Sequence, residues 1–268
     1  MELPVRGHKT YCYTGGKPFD AAKPSIVFIH GVLNDHSVWG LQTRYFAHHG
    51  WNVLAVDLPG HCRSEGDAPA SVEEGAQFVL DLLEAANVPR AVLVGHSFGA
   101  LIALEAAARA PDRITRVALL GVASPMKVSP ALLEGAQNDP MKAIAMVNVF
   151  SHSMLAPPPS SLGPGTWLYG GGRALMRRVL ASNSKVNVFH RGFVACDSYR
   201  GGEEAIGKLR CPVLFVLGQQ DSMTPPKTAQ PLQAKALDAK TVLVEAGHQM
   251  MTEAPDAVLA ALKDFVRP

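Results

Sequence analysis

Residues 91–110 read AVLVGHSFGALIALEAAARA, and this stretch decides the fold. It begins with four apolar residues, passes through two glycines that flank His96, Ser97 and Phe98, and continues as an alanine- and leucine-rich segment typical of a helix. A G-x-S-x-G sequence between a strand and a helix forms a sharp turn that lifts the serine above the sheet edge. The stretch therefore predicts a strand, a tight turn and a helix, with Ser97 presented as a nucleophile.

Six short apolar runs are spread along the chain, and the start of this stretch is one of them. They are continuous rather than alternating and too short for helices, which is typical of strands buried on both faces of a parallel sheet. Segments long enough for a crossover helix separate most of them, so the expected fold class is α/β. The runs are residues 26–29, 53–56, 91–94, 117–120, 213–217 and 242–244. Residues 5–13 are expected to add an antiparallel hairpin at the sheet edge.

Three segments of the regular part of the chain have helical patterns. Ser71 followed by Glu74 has capping-box spacing, so a helix is expected over 71–86. Residues 98–110 and 254–266 are also expected to be helical.

The segment 122–208 breaks the alternation of strands and helices. It contains no buried-strand run, but it has three consecutive prolines at 157–159 and several helical stretches. Such an insertion between strands is expected to be a mainly helical cap over the sheet edge. The predicted core domain then consists of residues 1–121 and 209–268.

Two local features of this insertion carry predictions of their own. Asp139 followed by Pro140 predicts a helix start, because aspartate accepts free backbone N–H groups and proline is tolerated at the first helical position. The glycines at 170–172 follow no strand, so a turn or hinge is expected rather than a phosphate-binding loop. A solvated helix face is expected for the three arginines that follow, which are Arg173, Arg177 and Arg178.

Composition limits the function classes. The chain has 268 residues, of which 18% are charged and 47% are hydrophobic, and its formal net charge is +2. This weak charge gives no reason to expect nucleic acid or an anionic membrane as a partner, and it favours neutral substrates. The polar residues within 1–16 argue against a secretory signal, and those within 91–110 argue against an integral membrane segment. A cytoplasmic location is therefore predicted.

The cysteines indicate neither disulfides nor a metal site. They are far apart and form no CxxC or Cys/His cluster, so they are interpreted as reduced thiols. Neither a cofactor nor a bound metal is predicted. The four positions are Cys12, Cys62, Cys196 and Cys211.

A serine hydroxyl is a weak nucleophile at neutral pH and needs a base within hydrogen-bond reach. His248 follows the last strand run and precedes the final helix, which places it on a loop at the same sheet edge as Ser97. Asp221 follows the strand run 213–217 and is expected to orient the imidazole. The predicted catalytic residues are thus Ser97 as nucleophile, His248 as general base and Asp221 as orienting acid.

Other titratable residues near the predicted turn fit these roles less well. His96 is adjacent to Ser97 in the turn, where a supporting role is expected. Asp57 also ends a strand but precedes the turn in the chain, and it is interpreted as structural. Asp197 lies in the 122–208 insertion, where little framework would hold a catalytic geometry.

A tetrahedral oxyanion needs two backbone donors placed in advance. The N–H of Phe98, next to the nucleophile, is expected to be one of them. The N–H of Val32, in the loop after the strand run 26–29, is expected to be the other. The neighbouring residues 34–36 are expected either to contact substrate or to hydrogen-bond within the turn.

Taken together, these residues resemble the α/β-hydrolase superfamily, in particular its cap-bearing serine esterases and lipases. The resemblance implies an eight-stranded, mostly parallel sheet flanked by helices, and hydrolysis through an acyl-enzyme without a cofactor. The matching pieces, in chain order, are His30 and Gly31 with Trp39, residues 57–61 with Ser64, the turn at 95–99, residues 218–221, and Gly247 with His248.

The expected reaction is hydrolysis of a small neutral, apolar carboxylic ester. Relatives that act as dehalogenases or epoxide hydrolases carry aspartate as the nucleophile, so Ser97 disfavours both activities. A lactonase, a thioesterase and a carbon–carbon bond hydrolase with the same triad remain alternative enzymes. A non-catalytic ligand receptor remains the alternative outside the enzymes. The sequence leaves open the acyl chain length, the leaving group and whether the chain forms a homo-oligomer.

Overall fold

The computed structural model describes residues 1–20, 22–154 and 167–266. Its strands are β1 Glu2–Val5, β2 His8–Tyr13, β3 Ser25–Ile29, β4 Asn52–Val56, β5 Ala91–His96, β6 Ile114–Leu120, β7 Val213–Gly218 and β8 Ala239–Val244. Within the described residues they form one sheet in the order β1-β2-β4-β3-β5-β6-β7-β8. Strands β3 to β8 pair in parallel, while β2 pairs antiparallel with both β1 and β4. The expected eight-stranded, mostly parallel sheet is confirmed.

Helices connect and cover these strands. They are α1 Gly40–His48, α2 Val72–Ala85, α3 Phe98–Arg109, α4 Pro130–Asn138, α5 Pro140–Ser151, α6 Leu168–Ala181, α7 Val188–Ser198, α8 Gly202–Gly207, α9 Gln230–Gln233, α10 Met250–Glu253 and α11 Pro255–Phe265. Short 3-10 helices add His36–Trp39 and Pro226–Ala229. The helices expected over 71–86, 98–110 and 254–266 are α2, α3 and α11. In the described ranges, no helix has the length and apolar character needed to cross a membrane.

The sheet is buried on both faces because its central strands place apolar side chains on each side in turn. In β3, Val27 and Ile29 lie in the apolar cluster that also contains residues of α2 and α3. Ile26 and Phe28 lie in the opposite cluster, with residues of α1 and α11. Because both faces are covered, the central strands read as unbroken apolar runs.

The two outer parts of the sheet follow a different pattern. The expected hairpin over 5–13 is present, but its first strand begins at Glu2, and half of β1 and the start of β2 are exposed. At the other edge, β8 extends back to Ala239, with Leu243 53% exposed. An edge strand needs less apolar surface than a central one, so its full length is not visible as an apolar run.

Helices α4 to α8 lie between β6 and β7 in the described part of the 122–208 insertion. Residues of α4, α5, α6 and α7 share a third apolar cluster with Leu33 of the core loop after β3. Helix α8 packs instead against α3. The prolines at 157–159 lie outside the described residues.

The insertion also confirms one local prediction and corrects another. Asp139 caps α5 by accepting the backbone N–H of Lys142, with Pro140 as the first helical residue. The glycines at 170–172 form no turn or hinge, because all three lie within α6. Their low helix propensity is outweighed here by the buried apolar side of this helix, which carries Met176 and Val179.

Candidate active site

Ser97 lies between β5 and α3, at the carboxyl edge of the parallel strands. Its backbone has φ 54° and ψ −117°, a conformation that is costly for any residue other than glycine. The Ser97 N–H donates to the carbonyl of Leu120 at 2.9 Å, and its own carbonyl accepts from Ala100 at 2.9 Å. The strained serine is therefore held by hydrogen bonds from both sides of the turn.

The two glycines of the turn allow three backbone segments to meet. A Cβ on Gly95 would overlap the carbonyl of Gly99. A Cβ on Gly99 would overlap the carbonyl of Ile29 and lie 2.6 Å from that of His30. Because these obstacles are backbone atoms, no side-chain rotation relieves them.

We expect Gly99→Ala to lower the free energy of unfolding by about 3 kcal/mol, because the methyl group must displace β3 or α3. Urea denaturation followed by circular dichroism measures the change. Gly207→Ala is the matched control, since a Cβ there meets no atom of the described residues within 4 Å. An equal effect of the two substitutions would contradict the close approach.

His248, which lines the same cavity as Ser97, contacts Asp221. Their side chains are joined by a 2.8 Å contact between His248 Nδ1 and Asp221 Oδ2, and both residues are buried. Because an ionised carboxylate only accepts hydrogen bonds, Nδ1 carries the proton and Nε2 remains the basic nitrogen. This is the arrangement that a general base requires.

Asp221 is itself fixed by its neighbours. Its Oδ1 accepts the backbone N–H groups of Met223 and Thr224, each at 2.8 Å. The Thr224 hydroxyl lies 2.8 Å from Asp221 Oδ2 and 3.1 Å from His248 Nδ1. Burial alone would raise the pKa of Asp221, but the neighbouring His248 and these hydrogen bonds outweigh it and lower the pKa below its ordinary value. The carboxylate is thus held in its charged form.

Two residues around His248 were not predicted from the sequence. Thr224 stands three residues after Asp221, a spacing typical of a turn capped by an aspartate, and this signal was available. Gly121 has φ 56°, and a Cβ there would lie 3.1 Å from the His248 ring. The glycine leaves room for the imidazole, which only the three-dimensional arrangement reveals.

His96 supports the loop that carries His248. Its Nε2–H donates to the backbone carbonyl of His248 at 2.9 Å, and the two rings lie 4.6 Å apart. Burial, followed by repulsion from a charged His248 ring, lowers the pKa of His96 to about 3. His96 therefore stays neutral and positions the base, which agrees with the supporting role expected for it.

The buried neutral His96 makes stability depend on pH. In the unfolded chain His96 takes up a proton below its ordinary pKa of 6.5, whereas in the folded chain it does so only near pH 3. The free energy of unfolding therefore falls as the pH falls through this window. The residue should contribute about 1.4 kcal/mol per pH unit to the loss. We expect His96→Phe to flatten the curve of unfolding free energy against pH by that amount between about pH 6 and 4. Urea titrations at several pH values measure it, and two parallel curves would contradict it.

The loop after β3 lies directly against the serine. A Cβ on Gly31 would be 3.1 Å from Ser97 Cβ and 2.9 Å from His96 Nδ1. Val32, the next residue, lines the same cavity as Ser97. Phe98 is the first residue of α3, where backbone N–H groups have no partner within the helix. Both predicted oxyanion donors therefore belong to segments beside Ser97.

Ser97 and His248 line one narrow cavity of about 20 Å³. Among the described residues, the hydrogen bonds of the His248 ring run from Nδ1 to Asp221 and Thr224, and none joins His248 to Ser97. Contacts between a base and its nucleophile often form or tighten only when substrate binds. A second cavity of about 410 Å³ adjoins the first, since Asn34 and Gln249 line both. The apolar wall of the first cavity is largely formed by Leu33, Val147, Met176, Phe189, Phe193 and Met223.

Asp35, His36 and Asp57 bring potential metal ligands within 4.8 Å of one another. Asp57 Oδ1 accepts from both the backbone and Nδ1 of His36. Asp35 Oδ1 accepts from Ser37, and its Oδ2 pairs with Arg178 at 2.6 Å. Since these donors already occupy the carboxylates, the cluster fits a hydrogen-bonded support rather than a metal centre.

Two residues at this cluster were considered in the sequence analysis. Asp57 has the structural position expected for it. Arg178 lies on the solvated helix face expected for it, with its side chain 60% exposed, and its guanidinium also ties α6 to the loop after β3 through the buried Asp35. Burial works against the ionised form of Asp35, but the bonds from Ser37 and Arg178 prevail and lower the pKa of Asp35 to about 2.

Comparison with known proteins places these observations in a family. A family model described as the alpha/beta hydrolase fold matches residues 24–255. The chain is 28% identical over 256 residues to a pimeloyl-(acyl-carrier protein) methyl ester esterase of Neisseria meningitidis, with 92% of this chain and 94% of the relative covered. It is 26% identical over 249 residues to protein ABHD8 of Bos taurus, covering 90% of this chain but spanning only about half, 55%, of that relative.

Solved structures agree with this family. The enol-lactonase of Burkholderia xenovorans LB400 superposes with a TM-score of 0.84, at 24% identity and with 99% of both chains covered. At this level of identity the likeness concerns the fold.

Proposed function

The chain belongs to the α/β-hydrolase fold family, and on that basis we propose that it is a serine hydrolase that cleaves neutral, apolar carboxylic esters. The observation that carries this proposal is the 2.8 Å contact between Asp221 and His248 beside the strained Ser97. A buried aspartate that fixes an imidazole tautomer next to a serine has little structural purpose, but it activates a hydroxyl.

The reaction then proceeds in two halves. Ser97 Oγ attacks the ester carbonyl while His248 Nε2 takes its proton, and the resulting oxyanion accepts hydrogen bonds from the N–H groups of Val32 and Phe98. His248 returns the proton to the departing alcohol, which leaves an acyl group on Ser97. Water attacks this acyl group with the same proton exchange and releases the acid. The positive end of α3 further favours the charge that develops at Ser97.

The proposal includes a cap over the site, formed by the 122–208 insertion. It is supported by the side chains that α5, α6 and α7 contribute to the wall around Ser97, namely Val147, Met176, Phe189 and Phe193. An apolar wall excludes water and strengthens electrostatic interactions at the reacting carbonyl. The same wall favours an apolar substrate over a charged one.

A panel of substrates tests the reaction class. Nitrophenyl esters, acyl thioesters, lactones and vinylogous diketones should be compared by kcat/KM, and we expect the esters to be hydrolysed best. The methyl ester esterase relative supports this order. A clear preference for a lactone, a thioester or a diketone would replace esterase with the corresponding activity on the same triad.

A fluorophosphonate probe tests the nucleophile separately. We expect it to label Ser97, identified by mass spectrometry of the modified peptide, because an activated serine attacks phosphorus as it does a carbonyl. Failure to label a folded preparation would overturn the triad assignment and favour a ligand receptor on this fold.

A further inference from the structure

The end of α5 lies directly against the loop that carries His248. The backbone N–H of Gln249, the residue after the histidine, donates to the carbonyl of Ser151 at 2.9 Å. On the other side of the histidine, a Cβ on Gly247 would lie 2.6 Å from the backbone nitrogen of Ser153. Because this obstacle is a backbone atom, a glycine is required for so close an approach. The insertion therefore contacts the loop of the predicted base on both sides of His248.

The carboxylate of Glu253 joins these two segments. Its Oε1 accepts the backbone N–H of Gly247 at 3.1 Å. Its Oε2 accepts the backbone N–H of Ser153 at 2.9 Å and the Ser153 hydroxyl at 2.5 Å. Glu253 is the last residue of α10, the short helix that follows the loop. A single side chain thus ties the residue before His248 to the insertion.

The chemistry of a carboxylate suits this set of donors. Both of its oxygens accept when it is ionised, and here each oxygen faces a backbone N–H group. A glutamine amide has only one oxygen, so its NH₂ group would face the N–H of either Gly247 or Ser153, whichever way it turned. Glu253→Gln therefore keeps the size of the side chain but breaks one side of the contact.

The backbone around His248 is held both by the core and by this contact. The His248 carbonyl accepts from His96 in the core. The N–H of the residue before it donates to Glu253, and the N–H of the residue after it donates to Ser151. The alignment of the base therefore depends on the insertion as well as on the core.

Glu253 and Ser153 stand apart from the place where substrate would bind. Among the described residues, neither lines the cavity of Ser97 or the larger cavity beside it. A substitution at either position is therefore expected to affect the reaction through the loop of His248 and not through a lost contact with the ester.

We propose that Glu253 is a positioning residue for the general base, and that it aligns His248 by tying Gly247 to Ser153 of the insertion. This inference rests on the proposed function, since it assumes that His248 takes a proton from Ser97. The base is then in place only while residues 151–153 are seated on its loop. The insertion thereby contributes to the proton transfer as well as to the wall of the cavity.

The kinetics of Glu253→Gln test this role. A misplaced base transfers protons more slowly without changing how the ester binds, so we expect kcat for a nitrophenyl ester to fall about tenfold while KM changes little. Fluorophosphonate labelling of Ser97 should slow by the same factor and still reach completion. Glu74→Gln is the matched control and should keep both rates. Glu74 Oε2 also accepts a backbone N–H, that of Ala70, at 2.7 Å, but it lines neither cavity.

Ser153→Ala is a second and milder test. It removes the hydroxyl donor but leaves the backbone N–H, so we expect the labelling rate to fall about threefold. In the Glu253→Gln background the same substitution should add little, because both changes act through one contact. Losses that multiply independently would overturn the inference. If Glu253→Gln fails to fold, Ser153→Ala decides alone, and an unchanged labelling rate overturns the inference.

Unchanged kcat and labelling rate in Glu253→Gln would also overturn it, as would an equal loss in Glu74→Gln. A loss that comes entirely from a smaller labelled fraction would show damage to the fold instead of a misplaced base, with the same consequence. These results leave the proposed function intact, since the unaltered protein is still labelled at Ser97. Absence of labelling in the unaltered protein would overturn both.

Discussion

Replacing Ser97 with alanine is expected to lower kcat for ester hydrolysis by about a million-fold, the size of effect known for loss of the serine in a well-studied triad enzyme. Without the hydroxyl, His248 has no proton to take and no acyl-enzyme forms. The oxyanion donors and the cavity remain, so a small residual rate over water persists. Turnover of a nitrophenyl ester by purified protein measures the loss.

The substitution should change activity without changing the fold. Alanine meets the same backbone restriction as serine at φ 54°, and the hydrogen bonds of the turn come from backbone atoms. The midpoint of thermal unfolding is therefore expected to stay within a few degrees of that of the original protein. Ser198→Ala, at an exposed serine on the end of α7, serves as the control and should retain full activity. Substantial turnover by Ser97→Ala in a clean preparation would remove the serine from the mechanism.

The central strands of the sheet could be predicted because burial on both faces requires a continuous apolar run in the sequence. The runs 26–29 and 213–217 match β3 Ser25–Ile29 and β7 Val213–Gly218 almost to the residue. Parallel strands of this kind need apolar side chains at every position. The turn around Ser97 could also be predicted from the sequence, since close packing of the backbone there requires glycines, and few other residues fit.

Features that depend on distant partners could not be predicted in this way. The glycines at 170–172 are helical because α6 has packing partners, and nothing nearby in the sequence reveals them. Arg178 is a surface residue as expected, but its pairing at 2.6 Å with Asp35, far away in the chain, has no local signal in the sequence. Propensity and charge pattern are weak guides wherever tertiary contacts decide.

The approximate position of the candidate site could be predicted from the sequence because of the sheet topology. The carboxyl ends of parallel strands share one edge, so the loops after β5, β7 and β8 bring Ser97, Asp221 and His248 into one region. Their mutual geometry depends on residues such as Gly121 and Thr224, which have no motif of their own. The contacts that join the loop after β8 to the insertion also have no local signal, because their partners lie far apart in the chain.

Asp221→Asn is expected to lower kcat by about ten-thousand-fold, through the imidazole rather than through any loss of structure. Asp221 Oδ1 accepts two backbone N–H groups, from Met223 and Thr224. In the variant the amide oxygen must keep that position, because an NH₂ group there would face two other donors. The NH₂ group therefore takes the place of Oδ2 and donates to His248 Nδ1. The ring proton then moves to Nε2, the nitrogen that must accept the proton of Ser97.

Steady-state kinetics and labelling together separate this tautomer effect from general damage. We expect KM to change little while kcat falls, and fluorophosphonate labelling of Ser97 to slow in parallel, because both depend on proton transfer to His248. Asp197→Asn is the matched control: Asp197 Oδ1 also accepts a backbone N–H, that of Val128, but it lies away from the cavity. An equal loss in both variants, or an Asp221→Asn protein that keeps its rate, would show that Asp221 does not orient the base.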